Sequence, residues 1–294
     1  MADLALTSIM AVWGSSFAIL RGLFVGDETS PLAMLAIRMA LASVLLTAWL
    51  AFSAHGRAQL ASLRGVLLRD GLFCGALLGI GFVLQTEGLA RTSASRSGFL
   101  TGMLVVLVPV LELFFFRKKP KAPALAGVIL AFLGMTVLSA PWQTQASLAG
   151  DLLTAGCALV FAGHIIALGR LAPRHPVLPM LLLQLAMVAV IAAVCGPLVE
   201  PQHFSNGGKL WLALVYLALF ATLLAFGIQT WAQKVMPAVR VALISSLEPV
   251  FAAIWAAILL GERLSGRELA GGALIVLGVA VGEAGAAIWG SGTR

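Results

Sequence analysis

The sequence predicts an all-α integral membrane protein whose ten transmembrane helices form a 5+5 inverted repeat around a central cavity. Three observations predict this fold class: the composition, the recurrence of long apolar stretches and an internal repeat. Hydrophobic residues make up 61% of the 294 residues and charged residues 11%, against about 45–50% and 25% in an ordinary soluble domain. Water therefore cannot be the main solvent of this chain.

Ten apolar stretches of about 20 residues follow one another, and each is long enough to cross a hydrocarbon core of roughly 30 Å as a helix. They cover residues 4–22, 31–53, 67–88, 96–116, 122–140, 148–169, 176–198, 209–232, 238–260 and 266–289. The first stretch lacks a basic segment before it, so we expect it to remain in the mature protein. The short connections leave no room for a soluble catalytic domain, and we expect any function to lie between the helices.

The net charge of +7 is explained better by membrane orientation than by nucleic-acid binding. If the N-terminus is cytoplasmic, the inner segments hold twelve Lys and Arg residues and the outer loops hold six. The positive-inside rule then predicts a multi-pass inner-membrane protein with both termini in the cytoplasm. Cys74, Cys157 and Cys195 lie in apolar stretches at unrelated spacings, so we interpret them as core residues and predict no metal and no cofactor.

The second half of the chain repeats the first at an offset of 144 residues. The segment FVLQTEGLARTSASR (82–96) aligns without gaps with FGIQTWAQKVMPAVR (226–240), and the same offset pairs Gly127 with Gly271 and Gly134 with Gly278. Five spans fit in this offset, so the second half must enter the membrane from the opposite side. This arrangement predicts two repeats, residues 1–145 and 146–294, and inverted repeats are typical of secondary transporters that work by alternating access.

Several motifs carry a family resemblance: WGSSF at 13–17, Arg38, Pro109, LEPVF at 247–251 and LGERL at 260–264. Together they resemble the EamA-type branch of the drug/metabolite transporter superfamily, and within it bacterial YddG-like exporters of amino acids and metabolites. The resemblance implies a central cavity lined by helices 1, 3, 4, 6, 8 and 9, with helices 5 and 10 outside its wall. The chain departs from the pattern at 117–120, where RKKP stands in place of GERL.

Polar and aromatic side chains inside the spans are the candidate site residues, because polar groups on a lipid face are costly. Gln85 and Gln229 each follow a matched phenylalanine, Phe82 or Phe226, by three residues, so ring and amide share a helix face. Hydrogen bonds between helices and ordinary packing are the alternatives for these positions, and for His164 a bond to a neighbouring helix is nearly as good an explanation. The predicted substrate-binding residues are Trp13, Phe17, Phe82, Gln85, Thr101, Phe161, His164, Phe226, Gln229, Ser245 and Glu248.

Three charged residues could have gating or coupling roles, and a fourth charged residue, Arg38, lies within a span. Arg96 and Arg240 are equivalent in the two halves and could close alternate ends of the cavity, although interface anchoring explains them slightly better. Glu112 has no obvious partner in the sequence and is a candidate for proton coupling. Arg38 lies about 10 Å into its helix, so we favour a structural anchor that extends toward the interface over a substrate ligand.

Glycine pairs at GxxxG spacing predict close helix contacts at Gly75 with Gly79, Gly98 with Gly102 and Gly278 with Gly282. No phosphate-binding loop, nucleophile motif or metal-ligand spacing is present in the sequence, so we expect a protein that is not an enzyme. The expected function is export of small metabolites, most of all amino acids, with the lipid bilayer as partner and the proton as a candidate coupling ion. The alternative is multidrug or quaternary-cation efflux, and the repeat argues against a membrane enzyme or scaffold.

Overall fold

Long apolar sequences punctuated by Gly, Pro and Ser fold into helices throughout the part of the chain that the computed structural model describes, residues 1–26, 28–143, 147–260 and 263–290. Within it, the side chains of residues 17, 18, 21, 25, 94, 95, 143, 256, 259, 260 and 285–290 lie outside the description. No β-strand occurs in these ranges; a single antiparallel bridge joins Thr29 and Phe204.

Local sequence signals begin many of the helices. Pro31 opens the second helix, where its missing N–H is not needed, and the hydroxyls of Ser53 and Ser147 accept hydrogen bonds from Gly56 N and Gly150 N. The helices are α1 Ala2–Val25, α2 Pro31–Ala51, α3 Ala54–Ala61, α4 Gly65–Arg91, α5 Ala94–Gly102, α6 Leu104–Phe116, α7 Ala122–Ser139, α8 Leu148–Leu171, α9 Val177–Val199, α10 Gly208–Tyr216, α11 Ala225–Ala232, α12 Ala238–Ser245, α13 Glu248–Leu260 and α14 Gly266–Gly290, with a π-helical segment at Leu217–Leu224 between α10 and α11.

Eight helical stretches in the described residues are long and apolar enough to cross a membrane. They are Pro31–Ala51, Gly65–Arg91, Arg96–Phe116, Ala122–Ser139, Leu148–Arg174, Val177–Val199, Gly208–Ala232 and Ala238–Trp255. Helices α1 and α14, which occupy the first and tenth predicted spans, are not among these eight. The structure therefore shows an all-helical fold typical of an integral membrane protein, with eight candidate spans.

Three of the predicted continuous spans are interrupted. The span at 96–116 breaks at Met103 between α5 and α6, and the span at 238–260 breaks at Ser246 and Leu247 between α12 and α13. Pro249 contributes to the second break because it cannot donate a backbone hydrogen bond to the turn before it. The span at 209–232 contains the π-helical segment, a local widening that is frequent at functional sites.

Glycines allow α7 and α14 to pack with their backbones close together. A Cβ atom added at Gly134 would lie 2.7 Å from Gly271 O, and one added at Gly278 would lie 2.7 Å from Gly127 O. On α4, a Cβ at Gly75 would lie 2.7 Å from the Cβ of Met187 on α9. The four glycines at the contact between α7 and α14 are the ones that the 144-residue offset pairs, Gly127 with Gly271 and Gly134 with Gly278.

The predicted close contact at Gly98 is wrong. A Cβ atom added there would meet no heavy atom within 4 Å, whereas one added at Gly102 would lie 2.5 Å from the sulfur of Met135. The GxxxG spacing places both glycines on one face of α5, but among the described residues only the second lies against a neighbouring helix, α7.

The connection after α9 forms hydrogen bonds with the N-terminus of α2. Glu200 Oε1 accepts a hydrogen bond from Leu32 N at 2.7 Å, and Ser30 N donates to His203 O at 3.0 Å. Burial raises the pKa of Glu200, and the bond from Leu32 opposes that effect only in part. This connection fixes the end of the bundle at which α1 finishes and α2 begins.

Candidate functional site

A cavity of about 110 Å³ lies in the middle of the helix bundle. Its wall comes from α1, α2, α4, α5, α6, α8, the π-helical segment, α11, α12 and α13, while no described residue of α7, α9 or α14 lines it. The lining residues are Trp13, Ser16, Leu20, Phe24, Arg38, Leu78, Phe82, Gln85, Thr86, Leu89, Thr101, Leu104, Phe161, His164, Ile165, Ala221, Phe226, Gln229, Ser245 and Glu248.

Four aromatic rings form a continuous wall of this cavity. The ring of Phe226 lies 5.1 Å from that of Trp13 and 5.7 Å from that of Phe82, and Phe82 lies 5.4 Å from Phe161, measured between ring centroids. The Phe–Phe contacts have the edge-to-face geometry that aromatic pairs prefer. Trp13 Nε1 donates a hydrogen bond of 2.9 Å to Ala221 O, so the indole is fixed against the π-helical segment.

Polar groups from both halves of the chain face the same cavity. Gln85 and Thr101 come from the first half, and Gln229, Ser245 and Glu248 from the second. The Oε1 atom of Gln229 and the hydroxyl of Thr101 are buried and have no hydrogen-bond partner among the described residues. Such groups are costly to bury unpaired, and water or a polar ligand in the cavity would supply their bonds.

His164 lies in the cavity wall and is also hydrogen-bonded to a neighbouring helix. It lines the cavity, and its Nε2 donates a 2.8 Å hydrogen bond to Gln184 Oε1 on α9. Gln184 in turn donates to Met180 O at 3.2 Å. This chain of bonds fixes the histidine ring and leaves it in the cavity wall with a defined orientation.

Arg38 is buried in the cavity wall, so the prediction that its side chain extends outward to the interface is wrong. Its side chain lines the cavity, only 5% of its surface is exposed, and its guanidinium lies 5.5 Å from the ring centroid of Phe82. The reason is packing around the start of α2: Leu35 and Met39 are buried on either side of Arg38. The cavity therefore receives the charged head group.

Arg96 and Arg240 lie outside the lining of the cavity and are held in ion pairs. Arg96 Nε donates to Asp151 Oδ1 on α8 at 3.1 Å, and the two groups make a second contact through Oδ2. Arg240 Nε lies 2.7 Å from Glu283 Oε1 on α14, and its Nη2 lies 2.9 Å from Asp3 Oδ1 on α1. Each arginine therefore joins the first turn of its helix to neighbouring helices, and both anchoring and gating through these ion pairs stay predictions.

Glu112 is also outside the central cavity, and the expectation that it lacks a partner is wrong. Lys118 Nζ lies 3.3 Å from Glu112 Oε1. Both residues line a second cavity near the start of α7, together with Arg240 and Glu283. Lys118 follows α6 in the RKKP segment, and Arg117 at φ 53° turns the chain back so that the lysine reaches the acid.

We expect the Arg96–Asp151 pair to show strong coupling in a double-mutant cycle. The side chains are only 17% and 18% exposed, so Arg96→Gln and Asp151→Asn should each lower the melting temperature in detergent, and the double variant should lose less than their sum. The expected coupling is about 1–3 kcal/mol. The control pair is Glu112 with Lys118, whose lysine is 55% exposed, and its coupling should be about 0–1 kcal/mol. Equal coupling in the two cycles would contradict the anchoring role.

The comparison with known proteins gives the family. Residues 1–140 and 148–281 match the sequence profile of the EamA-like transporter family. The chain belongs to this family. It is therefore a multi-pass membrane transporter and not an enzyme, as the sequence predicted.

Relatives of this EamA-like transporter cover nearly its whole length. It is 28% identical over 280 residues to an uncharacterized transporter of Archaeoglobus fulgidus, covering 95% of this chain and 85% of the relative. A protein of Salmonella typhimurium named "probable amino-acid metabolite efflux pump" is 29% identical, with 92% and 91% covered. The crystal structure of another protein, 22% identical, superposes with a TM-score of 0.79 over 96% of both chains, which shows the fold alone. An uncharacterized inner membrane transporter of Escherichia coli, YedA, is 28% identical, with 94% and 87% covered.

The structure brings together ten of the predicted site residues of this EamA-like transporter around one cavity, and Phe17, although on α1, has its side chain outside the described residues. The sequence did not predict that Arg38 lines the cavity, or that α2 contributes to the cavity wall. A guanidinium inside an apolar span was the available signal. Sequence reasoning also missed further lining residues, among them Leu20, Leu78 and Ala221, for which the sequence carried no signal.

Proposed function

We propose that this EamA-like transporter exports small metabolites, most of all amino acids, across the inner membrane by alternating access. The observation that supports the proposal best is the composition of the central cavity. Its wall combines four aromatic rings with amide, hydroxyl and carboxyl groups from both halves of the chain. Such a wall can hold the apolar side chain of an amino acid and hydrogen-bond its polar groups.

The proposal includes ten transmembrane helices in two inverted repeats, residues 1–145 and 146–294. Three features support the repeat. Phe82 and Phe226, which are equivalent at the 144-residue offset, touch each other in the cavity wall. The helix breaks at Met103 and Leu247 differ by the same offset, and the two profile matches fall on either side of the proposed boundary.

The proposed conformation is open to the periplasm. The cavity lining on α1 runs from Trp13 to Phe24, toward the end of that helix. At the other end of α1, Leu6, Ile9 and Met10 are fully buried in an apolar cluster. With the N-terminus in the cytoplasm, the packed end faces the cytoplasm, and export then requires the packed end to open. Arg240 at that end and Arg96 at the opposite end are the proposed gating residues, acting through their ion pairs.

Transport by the purified protein in liposomes tests the proposal. We expect amino acids to exchange across the vesicle membrane much faster than across protein-free vesicles, and a pH gradient across the membrane shows whether a proton is coupled. If none of the twenty amino acids crossed faster than in empty vesicles, amino-acid export would be ruled out.

Cysteine labelling tests alternating access separately. In a chain without Cys74, Cys157 and Cys195, we expect cysteines at positions 85 and 229 to react with a membrane-impermeant thiol reagent from either side, in proportions that substrate changes. A cysteine at position 150, where Gly150 is buried against Thr92, is the unreactive control. Labelling at 85 and 229 as slow as at 150 would mean a packed core.

Multidrug or quaternary-cation efflux is the second candidate, because the aromatic wall and Glu248 also suit a cation. If this alternative holds, the protein confers resistance to quaternary ammonium compounds and Glu248→Gln abolishes it. We expect the liposomes to exchange amino acids and to show no uptake of tetraphenylphosphonium.

A further inference from the structure

We propose that Arg38 binds the carboxylate of the transported substrate, so that the protein selects compounds that carry a carboxylate group. This inference rests on the proposed function and goes further, because it names the chemical group that the cavity recognises and the residue that recognises it. It concerns a residue for which the sequence favoured a different role.

The guanidinium of Arg38 is buried without an acidic partner among the described residues. Its side chain is 95% buried, its Nε has no hydrogen-bond partner, and no acid among the described residues forms an ion pair with it. Three other arginines within the spans or at their ends, Arg91, Arg96 and Arg240, each pair with a carboxylate. Arg38 is therefore the arginine whose charge the cavity has to accommodate.

A buried charge without a counter-charge is expensive, both in a protein interior and within the hydrocarbon layer. The face of the Phe82 ring, 5.5 Å from the guanidinium carbon, compensates for part of this cost. It leaves the N–H donors of the guanidinium available. A ligand that brings an anion into the cavity would supply the missing partner, which explains why the charge is located in the wall.

The shape of the guanidinium favours one class of anion. Its planar arrangement of donors matches the two oxygens of a carboxylate and allows two parallel hydrogen bonds. Among the described lining residues Arg38 is the only Lys or Arg. The positive charge of Arg38 would repel a quaternary cation, so the wall discriminates against cations that carry no carboxylate.

The remaining polar groups of the cavity suit the other end of an amino acid. Glu248 lines the same cavity and takes part in no ion pair among the described residues, and Gln229 Oε1 and the Thr101 hydroxyl lack hydrogen-bond partners. These oxygens can accept hydrogen bonds from an ammonium group. The carboxylate on Arg38 and the ammonium on these oxygens would orient the side chain toward the rings of Phe82, Phe161 and Phe226.

The first test uses the unmodified full-length protein. Ligand-induced shifts of the melting temperature in detergent are measured for the twenty amino acids, and the best binder is then compared with its methyl ester and with the amine that lacks the carboxylate. We expect the ester and the amine to bind roughly 10- to 100-fold more weakly, the range for losing hydrogen bonds to a charged group. Equal binding of all three compounds, or binding of no amino acid, would overturn the proposal.

The second test uses variants with a matched control. Arg38→Met should lower the affinity for the amino acid by the same roughly 10- to 100-fold and leave the affinity for the amine unchanged or higher. Arg38→Lys should retain part of the preference for the carboxylate. The control is Arg170→Met, because Arg170 also lies over a phenylalanine ring, 3.3 Å from the Phe116 centroid, and does not line the cavity. It should leave all affinities unchanged. A purely structural Arg38 would lower the affinities for amino acid and amine alike, which is the contradicting result.

The two proposals can fail independently. If amino acids cross the liposome membrane and their esters and amines compete equally well, the assignment of Arg38 is wrong and export stands. If carboxylate compounds bind in a manner that depends on Arg38 but none of them crosses, the carboxylate site stands and amino-acid export is wrong.

Discussion

Replacing Phe82 by alanine is expected to reduce amino-acid transport roughly tenfold or more. The Phe82 ring contacts the rings of Phe161 and Phe226 edge to face and carries the guanidinium of Arg38 on its face. Each ring contact contributes about 0.5–1.5 kcal/mol beyond its buried area, and a loss of about 1.4 kcal/mol in the transition state lowers a rate tenfold. Alanine also removes the ring over which the Arg38 guanidinium lies. The substitution therefore changes both the shape of the cavity wall and the position of the Arg38 side chain.

Initial exchange rates in liposomes measure this effect, with the amount of folded protein determined by size-exclusion chromatography. Phe114→Ala is the matched control: Phe114 also has an aromatic neighbour, Phe115 at 5.1 Å, but is 77% exposed on the outer surface of the bundle. Its rate should stay within about twofold of the unmodified protein, as expected for a substitution away from any site. If the two alanine variants transported equally well, the aromatic wall would have no part in transport.

The sequence predicted the positions of the helices well because hydropathy is a property of local segments. The spans at 67–88 and 122–140 correspond to Gly65–Arg91 and Ala122–Ser139. The repeat added information about which faces are equivalent, and it identified Phe82 with Phe226 and Gln85 with Gln229 as residues of one environment. Neither signal contains the rotation of a helix relative to its neighbours, which decides what each side chain touches.

The residues that the sequence placed wrongly depend on that rotation. Arg38 was assigned to the interface from its depth in the helix, although its direction depends on how α2 packs. The partner of Glu112 is a lysine brought back by a turn. Asp151 and Glu283, which pair with the two equivalent arginines, come from helices distant in sequence, and no spacing rule connects them. Short helices such as α3 also escape hydropathy, because Ala54–Ala61 is not apolar.

A backbone contact between two of the family motifs, WGSSF and LEPVF, predicts a second large effect. Gly14 of the WGSSF segment on α1 packs against the LEPVF segment on α13, where an added Cβ atom would lie 2.7 Å from Ala252 N and 2.9 Å from the backbone carbon of Phe251. These atoms belong to backbone and cannot turn away, so Gly14→Ala has to separate the two helices. Overpacking of this kind costs about 1–3 kcal/mol.

The displacement also changes the cavity, because Trp13 and Glu248 lie beside this contact in its wall. We therefore expect Gly14→Ala to lower the melting temperature in detergent by several degrees and to reduce transport in liposomes at the same time. Gly22→Ala is the control within the same helix, since a Cβ atom there meets nothing within 4 Å. It should be neutral or slightly stabilising, because alanine favours the helix. Equal melting temperatures and equal rates for the two variants would show that the backbones of α1 and α13 are not held in contact at Gly14, and the position of Trp13 relative to Glu248 would then need another cause.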